Sequence, residues 1–440
     1  MKEEKSTEPV IIPANQNKTD QSYWAIVRRQ FNKNRLAVWS LRFLYFILFI
    51  ALMADFIANE KPLYAKYEGK TYFPVFRSYL VNAGLADWQD EIRNAEWKIL
   101  EYDRVVWPPV PYRPTNIDFL NSNYVGPFDD QVVPSPHWRH RLGTDELGRD
   151  VLSGMIHATR IAMLVGVVSM SIAAFFGIIF GAMAGYFGDS RLQMSRIRLL
   201  LNIFFLVIAI FYSFGVRSYI LSDALGAGLM AFLGQFLISL FIFMGIMLIP
   251  NLLAIPLKKV AVLGKRINIA LDIIVMRFIE ILTSIPTLLL ILAIVALTQP
   301  SIIIIMVIIG ITGWTGIARF IRGELLRVRS LEYIEAAQAL GYSEARIIFK
   351  HAIPNSLTPV LIAIAFGVAS AILIESTLSF LGIGVPAEVV TWGSLLSDAR
   401  NVPDAWWLAI FPGFAIFITV TIFNLIGDGL ADALDPRLKK

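Results

Sequence analysis

The sequence lacks cysteine altogether, which excludes disulfide bonds, thiolate metal sites and a cysteine nucleophile. Charge is also sparse: 17% of the 440 residues are Asp, Glu, Lys or Arg, whereas 56% are hydrophobic. The mean hydropathy of +0.62 is far too high for a soluble domain with so little charge. Several apolar runs are long enough to cross a bilayer, so the composition predicts an all-α polytopic membrane protein.

Motifs that carry chemistry are missing as well. No phosphate-binding loop of the form Gly-x-x-x-x-Gly-Lys-Ser/Thr occurs, so the chain does not supply its own ATPase. His-Glu-x-x-His, Gly-x-Ser-x-Gly and paired metal-ligand spacings are absent, which argues against a membrane enzyme. Only His137 and His140 are close enough to suggest a metal pair, and beside Trp138 a solvated turn is the simpler interpretation. We therefore predict no catalytic residue, cofactor or metal.

The balance of charge is basic, with a net charge of +5. No Lys/Arg-rich stripe with interleaved aromatic residues is present, so we do not expect nucleic acid as a partner. In a membrane protein, such an excess more simply reflects cytoplasmic loops that follow the positive-inside rule.

The order of polar and apolar stretches predicts four regions. Residues 1–35 form a cytoplasmic tail that becomes basic toward its end, and residues 36–58 form an uncleaved first transmembrane helix. Residues 59–157 are polar and aromatic without a sustained apolar run, which indicates a periplasmic or extracellular segment. We expect extended chain and turns there, forming a flap rather than a self-standing domain. Residues 158–440 form the transmembrane domain.

Three residues inside apolar runs are candidates for a translocation path. Ser284 and Pro286 permit a kink within a span, because neighbouring groups can satisfy the freed carbonyl. Glu375 is the one acid well inside an apolar run, and an intramembrane acid is a functional candidate by default. The alternative for Glu375 is a position near the outer interface. Nearby, Arg277 and Glu280 are one helical turn apart and predict a local ion pair.

A polar island at about 329–355 interrupts the apolar half of the chain and reads as helix, break, helix. Gly341 suits a left-handed position after the first helix, and Ser343 suits the cap of the second. Pro354 is expected to end that second helix. Taken by itself, the pattern also fits an ordinary cytoplasmic loop with two amphipathic turns.

The spacing within this island resembles the EAA loop of binding-protein-dependent ABC importer permeases. A Glu-Ala-Ala is followed by a Gly four positions after its second Ala and by a Pro thirteen positions after that Gly. The residues in register are Glu335, Ala336, Ala337, Gly341 and Pro354. His351 and Ile353 depart from the family pattern, and His351 has no explanation at the level of sequence.

A second motif, Gly143-Thr144-Asp145-x-x-Gly-Arg149-Asp150-Val151, is similar to the segment that dipeptide and oligopeptide permeases carry before their second span. Its charged residues either pair locally, as a structural motif or extracellular gate, or lie near a peptide's amino terminus. The stretches 61–74 and 107–112 resemble the branch that includes microcin C importers.

The family pattern of six spans is interrupted here by an insertion. Two further apolar runs at about 197–257 are flanked by basic residues, including Lys258 and Lys259. We therefore expect a permease core of six helices plus two inserted helices, with a peripheral, lipid-facing position as the simplest packing.

The resemblance implies the permease subunit of a peptide importer in the bacterial cytoplasmic membrane, with both termini cytoplasmic. The partners it implies are a second permease subunit, two ATP-binding subunits, a periplasmic or lipid-anchored peptide-binding protein, the peptide and membrane lipid. ATP-driven closure of the ATPases would alternate access to a central path through the coupling loop. The alternative is an ion-coupled secondary transporter or channel without an ATPase, which would usually show internal repeats or more buried charge.

Overall fold

The computed structural model describes residues 23–82, 84–89, 92, 96–227, 229–257 and 264–434. The first 22 residues of the expected tail, and Lys258 and Lys259 beside the insertion, lie outside the described residues.

The described chain is mostly helical. Its first helices and strands are α1 (Tyr23–Phe31), α2 (Arg35–Ile57), β1 (Tyr64–Tyr67), β2 (Lys70–Tyr72), α3 (Pro74–Asn82), β3 (Arg104–Val106), α4 (Val151–Ala182), β4 (Gln193–Ser195), α5 (Arg196–Ile210), α6 (Ser218–Ala227) and α7 (Leu229–Leu257). There follow β5 (Arg266–Asn268), α8 (Leu271–Thr283), α9 (Thr287–Ala296), α10 (Ile302–Val328), α11 (Glu332–Ala339), α12 (Glu344–Ile347), α13 (Ile353–Ser356), α14 (Thr358–Phe380), α15 (Trp392–Ala399) and α16 (Trp406–Leu434). Three π-helical turns occur at Met183–Phe187, Phe211–Gly215 and Ile348–Ala352.

Among the described residues, seven helices are long and apolar enough to cross a membrane. The helices α8 and α9 make an eighth span if they are counted as one helix broken at residues 284–286. This confirms the predicted polytopic all-α class, and the interruption falls at the predicted kink. The α4 helix begins at Val151, earlier than the boundary predicted at 158. The reason is that the Asp150 carboxylate accepts a hydrogen bond from the Ser153 backbone N–H at 2.6 Å and caps the helix.

The segment after α2 contains a small sheet that the sequence did not predict. The strands are antiparallel in the order β2-β1-β3, and Ala65 of β1 lies opposite Tyr72 and Val105. A local cluster of buried side chains, including Ala65, Tyr72, Ile92 and Trp97, covers one side. Strands of three or four residues are too short to show a period of two, so only their tertiary contacts reveal them.

The chain divides into two compact units, and the first comprises residues 1–174, 287–313 and 358–440. Its central cluster packs α4, α9, α10 and α14 through fully buried side chains such as Val165, Ile291, Ile305 and Leu378. At the turn after α14, Gly384 has φ +83, and a Cβ there would lie 2.4 Å from a methyl carbon of Val295. Only glycine permits this close approach.

The second unit comprises residues 175–286 and 314–357. Here Gly177, Gly181 and Gly185, four residues apart on α4 and its π-helical turn, lie against the later part of α10. A Cβ at Gly181 would stand 2.6 Å from the Ala318 carbonyl oxygen. This small-xxx-small stripe lets the two helix backbones approach closely.

The inserted helices also belong to the second unit. Helix α5 packs beside α7, and polar contacts to α7 are made from Arg198 near the start of α5 and from Arg217 just before α6. The Arg198 Nε donates to Asn251 Oδ1 at 2.5 Å, and the Arg217 guanidinium donates to Gln235 Oε1 at 2.7 Å and to Ser239 Oγ at 3.0 Å. In the most apolar stretch of each of these two spans, only 11% and 6% of the residues are buried, so most of the apolar surface of this hairpin is uncovered by the described chain.

Candidate functional site

The polar island forms an exposed segment in the second unit, and its first helix, α11, has two different faces. Ile334 is fully buried and Ala337 is nearly so, because they face the rest of the unit. Glu335 and Ala336 are exposed, and Leu340 is 72% exposed at the carboxyl end. Among the described residues, Glu335 has no ion-pair partner. The helix therefore presents an apolar patch and the Glu335 carboxylate outward, together with that of Glu332, which is also exposed in its first turn.

The predicted break after α11 is a Schellman turn. Gly341 has φ +77, in the left-handed region predicted for it. Its N–H donates to the Gln338 carbonyl at 2.9 Å, and the Tyr342 N–H donates to the Ala337 carbonyl at 3.1 Å. The Ser343 hydroxyl accepts from the Arg346 N–H at 3.4 Å and caps α12 as predicted.

The prediction that Pro354 ends the second helix is wrong. Helical backbone continues from α12 through the π-helical turn at Ile348–Ala352 into α13, and Pro354 lies in the first turn of α13. A proline fits there because the preceding π turn shifts the hydrogen-bond register. Side chains satisfy nearby carbonyls: the Asn355 amide donates to the His351 carbonyl at 2.7 Å, and the Ser356 hydroxyl donates to that of Ala352 at 2.9 Å.

His351, which the sequence left unexplained, packs inside this segment. Its ring stacks on Tyr342 with centroids 6.3 Å apart, and the Arg346 guanidinium lies 5.1 Å from the centre of the same tyrosine ring. The His351 Nε2 is buried and has no hydrogen-bond partner among the described residues. His351 therefore helps to hold the turn against the second helix.

Polar contacts anchor the segment to transmembrane helices of its own unit. The fully buried Tyr186 donates its hydroxyl hydrogen to the Glu344 carboxylate, and Arg329 Nη1 donates to the Gly185 carbonyl at 3.2 Å. Before the segment begins, Arg322 of α10 binds Asp272 of α8 through Nε and Nη2 of its guanidinium, and the Nη2 to Oδ2 distance is 2.7 Å. Sequence reasoning missed these anchors.

The candidate path residues lie in different surroundings. Glu375 belongs to the first unit and is 1% exposed, with its carboxylate accepting from Ser379 Oγ at 2.6 Å and from Ser376 Oγ at 3.4 Å. The Thr391 side chain, at the cap of α15, interacts with it too. Ser284 and Pro286 belong to the second unit and are exposed at the helix break, where Ser284 Oγ donates to the Ile281 carbonyl at 2.7 Å. Glu375 thus ties α15 to α14.

The predicted ion pair on α8 is present. Arg277 Nη1 donates to Glu280 Oε2 at 2.7 Å, and both side chains are exposed.

The second motif is organised by Asp145, which is 2% exposed. Its carboxylate accepts from Arg149 Nε at 2.5 Å and from the backbone N–H groups of Arg149 and Leu147 at 2.8 and 3.0 Å. This is the local pairing that the sequence suggested. Asp150 differs: its partner is His140, with Nδ1 to Oδ2 at 2.8 Å.

The expectation of a solvated turn at His137 and His140 is wrong for His140. Its ring is fully buried, stacks on Tyr112 with centroids 4.2 Å apart, and lies between the carboxylates of Asp150 and Asp118. Burial alone would raise the pKa of Asp118, but hydrogen bonds from Asn121 and His140 outweigh it and lower that pKa. A single histidine between two carboxylates thereby fixes the motif to the preceding loop.

A cavity of about 310 Å³ adjoins this motif. Asp145, Arg149 and Asp150 line one part of it, and Asp398 of α15 lines another. Burial and the neighbouring Asp145 raise the pKa of Asp398 to about 6. Neither here nor at any other place among the described residues are three His, Asp or Glu side chains arranged to hold a metal ion.

Comparison with known proteins identifies the family. The family model for the binding-protein-dependent transport system inner membrane component matches residues 260–440. That for the N-terminal TM domain of oligopeptide transport permease C matches residues 22–74. The dipeptide transport system permease protein DppC of Bacillus subtilis is 30% identical over 313 residues, covering 71% of this chain and 72% of that protein. The chain belongs to this family of transport permeases.

Two further relatives of this permease agree. The inner membrane ABC transporter permease protein YejE of Escherichia coli K12 is 29% identical over 431 residues, covering 95% of this chain and 97% of that protein. The oligopeptide transport system permease protein OppC of Bacillus subtilis is 39% identical over 170 residues, covering 38% and 56%. Members of this permease family are transport components and not catalytic subunits.

Proposed function

We propose that this chain is the membrane-spanning subunit of an ABC importer for peptides and that residues 329–355 couple it to a separate ATPase. The names of the dipeptide and oligopeptide permease relatives support the substrate class. The observation that carries the coupling role is the outward face of α11, where Glu335, Ala336 and Leu340 are uncovered by the described chain.

The contacts of the segment suit the transmission of motion. A partner that moves α11 would pull on α4 through Tyr186 and Glu344, and through Arg329 and the Gly185 carbonyl. The Schellman turn at Gly341 lets the short helix leave the membrane helices without losing its carbonyl partners. A rigid joint of this kind converts displacement of a soluble subunit into displacement of spans.

The number of spans supports a location of residues 329–355 and of both termini on the same side of the membrane. With eight spans, the ends of α4, α7, α10 and α16 all fall on the side where α2 starts. Lys and Arg residues are frequent at or just beyond these ends, which favours the cytoplasmic side of the bacterial inner membrane. We infer a second permease subunit, two ATPase subunits and a peptide-binding protein as partners. No observation favours an ion-coupled transporter or channel.

Co-purification of this chain with its co-expressed ATPase subunits tests the coupling role. Glu335→Lys and Leu340→Asp should each lower the amount of bound ATPase at least severalfold, because they reverse the carboxylate or charge the apolar patch. Glu68→Lys, in the exposed turn between β1 and β2, is the matched charge reversal and should leave binding unchanged. Equal binding by all variants, or no ATPase partner at all, would refute the coupling role.

Uptake of labelled peptides of graded length into proteoliposomes holding the assembled complex tests the substrate. ATP-dependent accumulation of di- or oligopeptides is expected. ATPase binding without any peptide uptake would contradict the substrate class and leave the coupling role intact.

A further inference from the structure

The base of the inserted hairpin is a cationic surface whose charges have no ion-pair partner among the described residues. It consists of Arg191, Ser195, Arg196, Lys265 and Arg266, which we call the hairpin base. The strands β4 and β5 hold it together: Ser195 lies opposite Arg266, and the Arg196 N–H donates to the Lys265 carbonyl at 3.1 Å. Its four basic residues are all exposed.

Acids near the hairpin base are engaged elsewhere. Asp189 accepts from the Ile273 N–H at 3.2 Å, and Asp272 is bound by both ends of the Arg322 guanidinium. Within the described part of the chain, none of the four cations forms an ion pair. Four positive charges in one small region repel one another, so the surface favours an anionic ligand.

A free hydroxyl and a helix amino terminus lie at the same place. Ser195 is the N-cap residue of α5, but its side chain makes no capping hydrogen bond. Its Oγ is buried at a residue that is 7% exposed, and it has no partner among the described residues. The N–H groups that follow Arg196 in the first turn of α5, and the Ser195 hydroxyl, are therefore donors, beside cations, of the kind that bind phosphate oxygens.

The apolar surface begins where the cations end. On α5, Leu200, Phe204 and Val207 are 59%, 63% and 66% exposed, and on α7, Leu252 and Ile255 are 65% and 62% exposed. A free phosphate or an acidic protein surface would use the cations alone. A phospholipid uses both features, since its headgroup phosphate meets the cations and its acyl chains cover the apolar helix faces.

From this arrangement we propose that the hairpin base is a binding site for the phosphate of an anionic glycerophospholipid. The inserted helices then serve as a lipid-dependent attachment of the permease to its bilayer.

Equilibrium binding of fluorescent phosphatidylglycerol and phosphatidylcholine to the purified full-length chain in a mild non-ionic detergent tests this site. The base variant is Arg196→Gln/Lys265→Gln/Arg266→Gln. Each basic residue near an anionic lipid contributes about fivefold in affinity, so the preference for phosphatidylglycerol should fall by roughly a hundredfold. The control, Lys33→Gln/Arg277→Gln/Arg327→Gln, removes the same charge elsewhere and should keep the preference.

Several results would overturn the proposal. One is an unchanged preference for phosphatidylglycerol in the base variant, and another is an equal loss of that preference in the control variant. A third is full displacement of the lipid by millimolar inorganic phosphate, which would indicate a site for free anions. Loss of a co-purifying protein subunit with lipid preference intact would assign the surface to a protein partner. Should the triple variant fail to fold, Arg266→Gln alone must lower the preference about fivefold.

Discussion

The glycine stripe of the second unit gives a sharp prediction, because its spacing leaves no room for even one methyl group. At Gly181, an added Cβ would lie 2.6 Å from the Ala318 carbonyl oxygen and 2.9 Å from the Ile321 Cβ. Ordinary contacts begin near 3.4 Å, so Gly181→Ala must separate α4 from α10 locally by about 0.8 Å. A gap of that size gives up roughly a quarter to a half of the dispersion energy of each contact that it opens.

The magnitude follows by comparison with Gly323→Ala on α10. A Cβ at Gly323 would meet nothing within 4 Å, so this control gains helix propensity, about 1 kcal/mol, without a clash. Gly181→Ala gains the same propensity but overpacks the interface, at a cost of about 1–3 kcal/mol. The difference between the two variants should therefore be about 1–3 kcal/mol in favour of Gly323→Ala.

Thermal unfolding in a mild detergent, followed by tryptophan fluorescence, measures this difference. Trp314 is a convenient probe because its ring lies 4.9 Å from that of Phe180 on α4. We expect a lower melting temperature for Gly181→Ala than for Gly323→Ala. If the two alanine variants melted together, the argument from helix approach would be refuted.

Three further predictions concern the first unit. Asp398→Asn should have the same melting temperature as wild type near pH 4 but a higher one at pH 7. The pKa of Asp398 is raised to about 6 in the folded state, so this carboxyl stabilises the fold below its unfolded pKa, and the contribution is lost as pH rises through about 6. A difference in melting temperature that did not change with pH would contradict the raised pKa. Ser379→Ala leaves one buried oxygen of Glu375 without its 2.6 Å partner and should cost about 1–3 kcal/mol in thermal unfolding. Ser171→Ala, whose exposed hydroxyl bonds only its own helix, should cost little. Equal effects of the two variants would contradict a stabilising role for the buried hydrogen bond between Ser379 and Glu375. Gly148→Ala places a Cβ 2.1 Å from the Asp118 carbonyl oxygen and should speed proteolysis of the segment between α2 and α4. The effect should be far larger than that of Gly69→Ala, which has a similar positive φ but open space; equal cleavage rates would show that backbone strain alone matters.

The membrane helices were predictable because length and hydropathy decide them. Runs of about 20 apolar residues have one stable state in lipid, so seven helices and the broken pair fall where such runs occur. The turn at Gly341 was predictable for a similar reason, since a left-handed residue between two helical patterns strongly favours glycine.

The features that sequence reasoning missed depend on partners distant in the chain. His140 is buried because Asp118 and Tyr112, 22 and 28 residues earlier, enclose it, and nothing adjacent to His140 signals this. Pro354 stays helical because a π-helical turn precedes it, and such a turn has no local sequence signature. The strand pairing of β1 with β3 joins residues about 40 apart through three residue pairs, too few for a visible pattern.

The two alanines of the Glu-Ala-Ala motif lie on different faces of α11, and the size of each side chain is limited for a different reason. Consecutive helix residues point about 100° apart, so Ala336 is exposed beside Glu335 while Ala337 is buried beside Ile334. A small side chain at Ala337 lets α11 lie close to its own unit, and a small side chain at Ala336 leaves the outer face open to close approach. The requirement at Ala337 follows from packing within this chain, whereas a requirement at Ala336 would arise only from contact with another molecule. Because the outer face and its apolar patch are uncovered by the described chain, they support the proposal that the segment is one half of an interface.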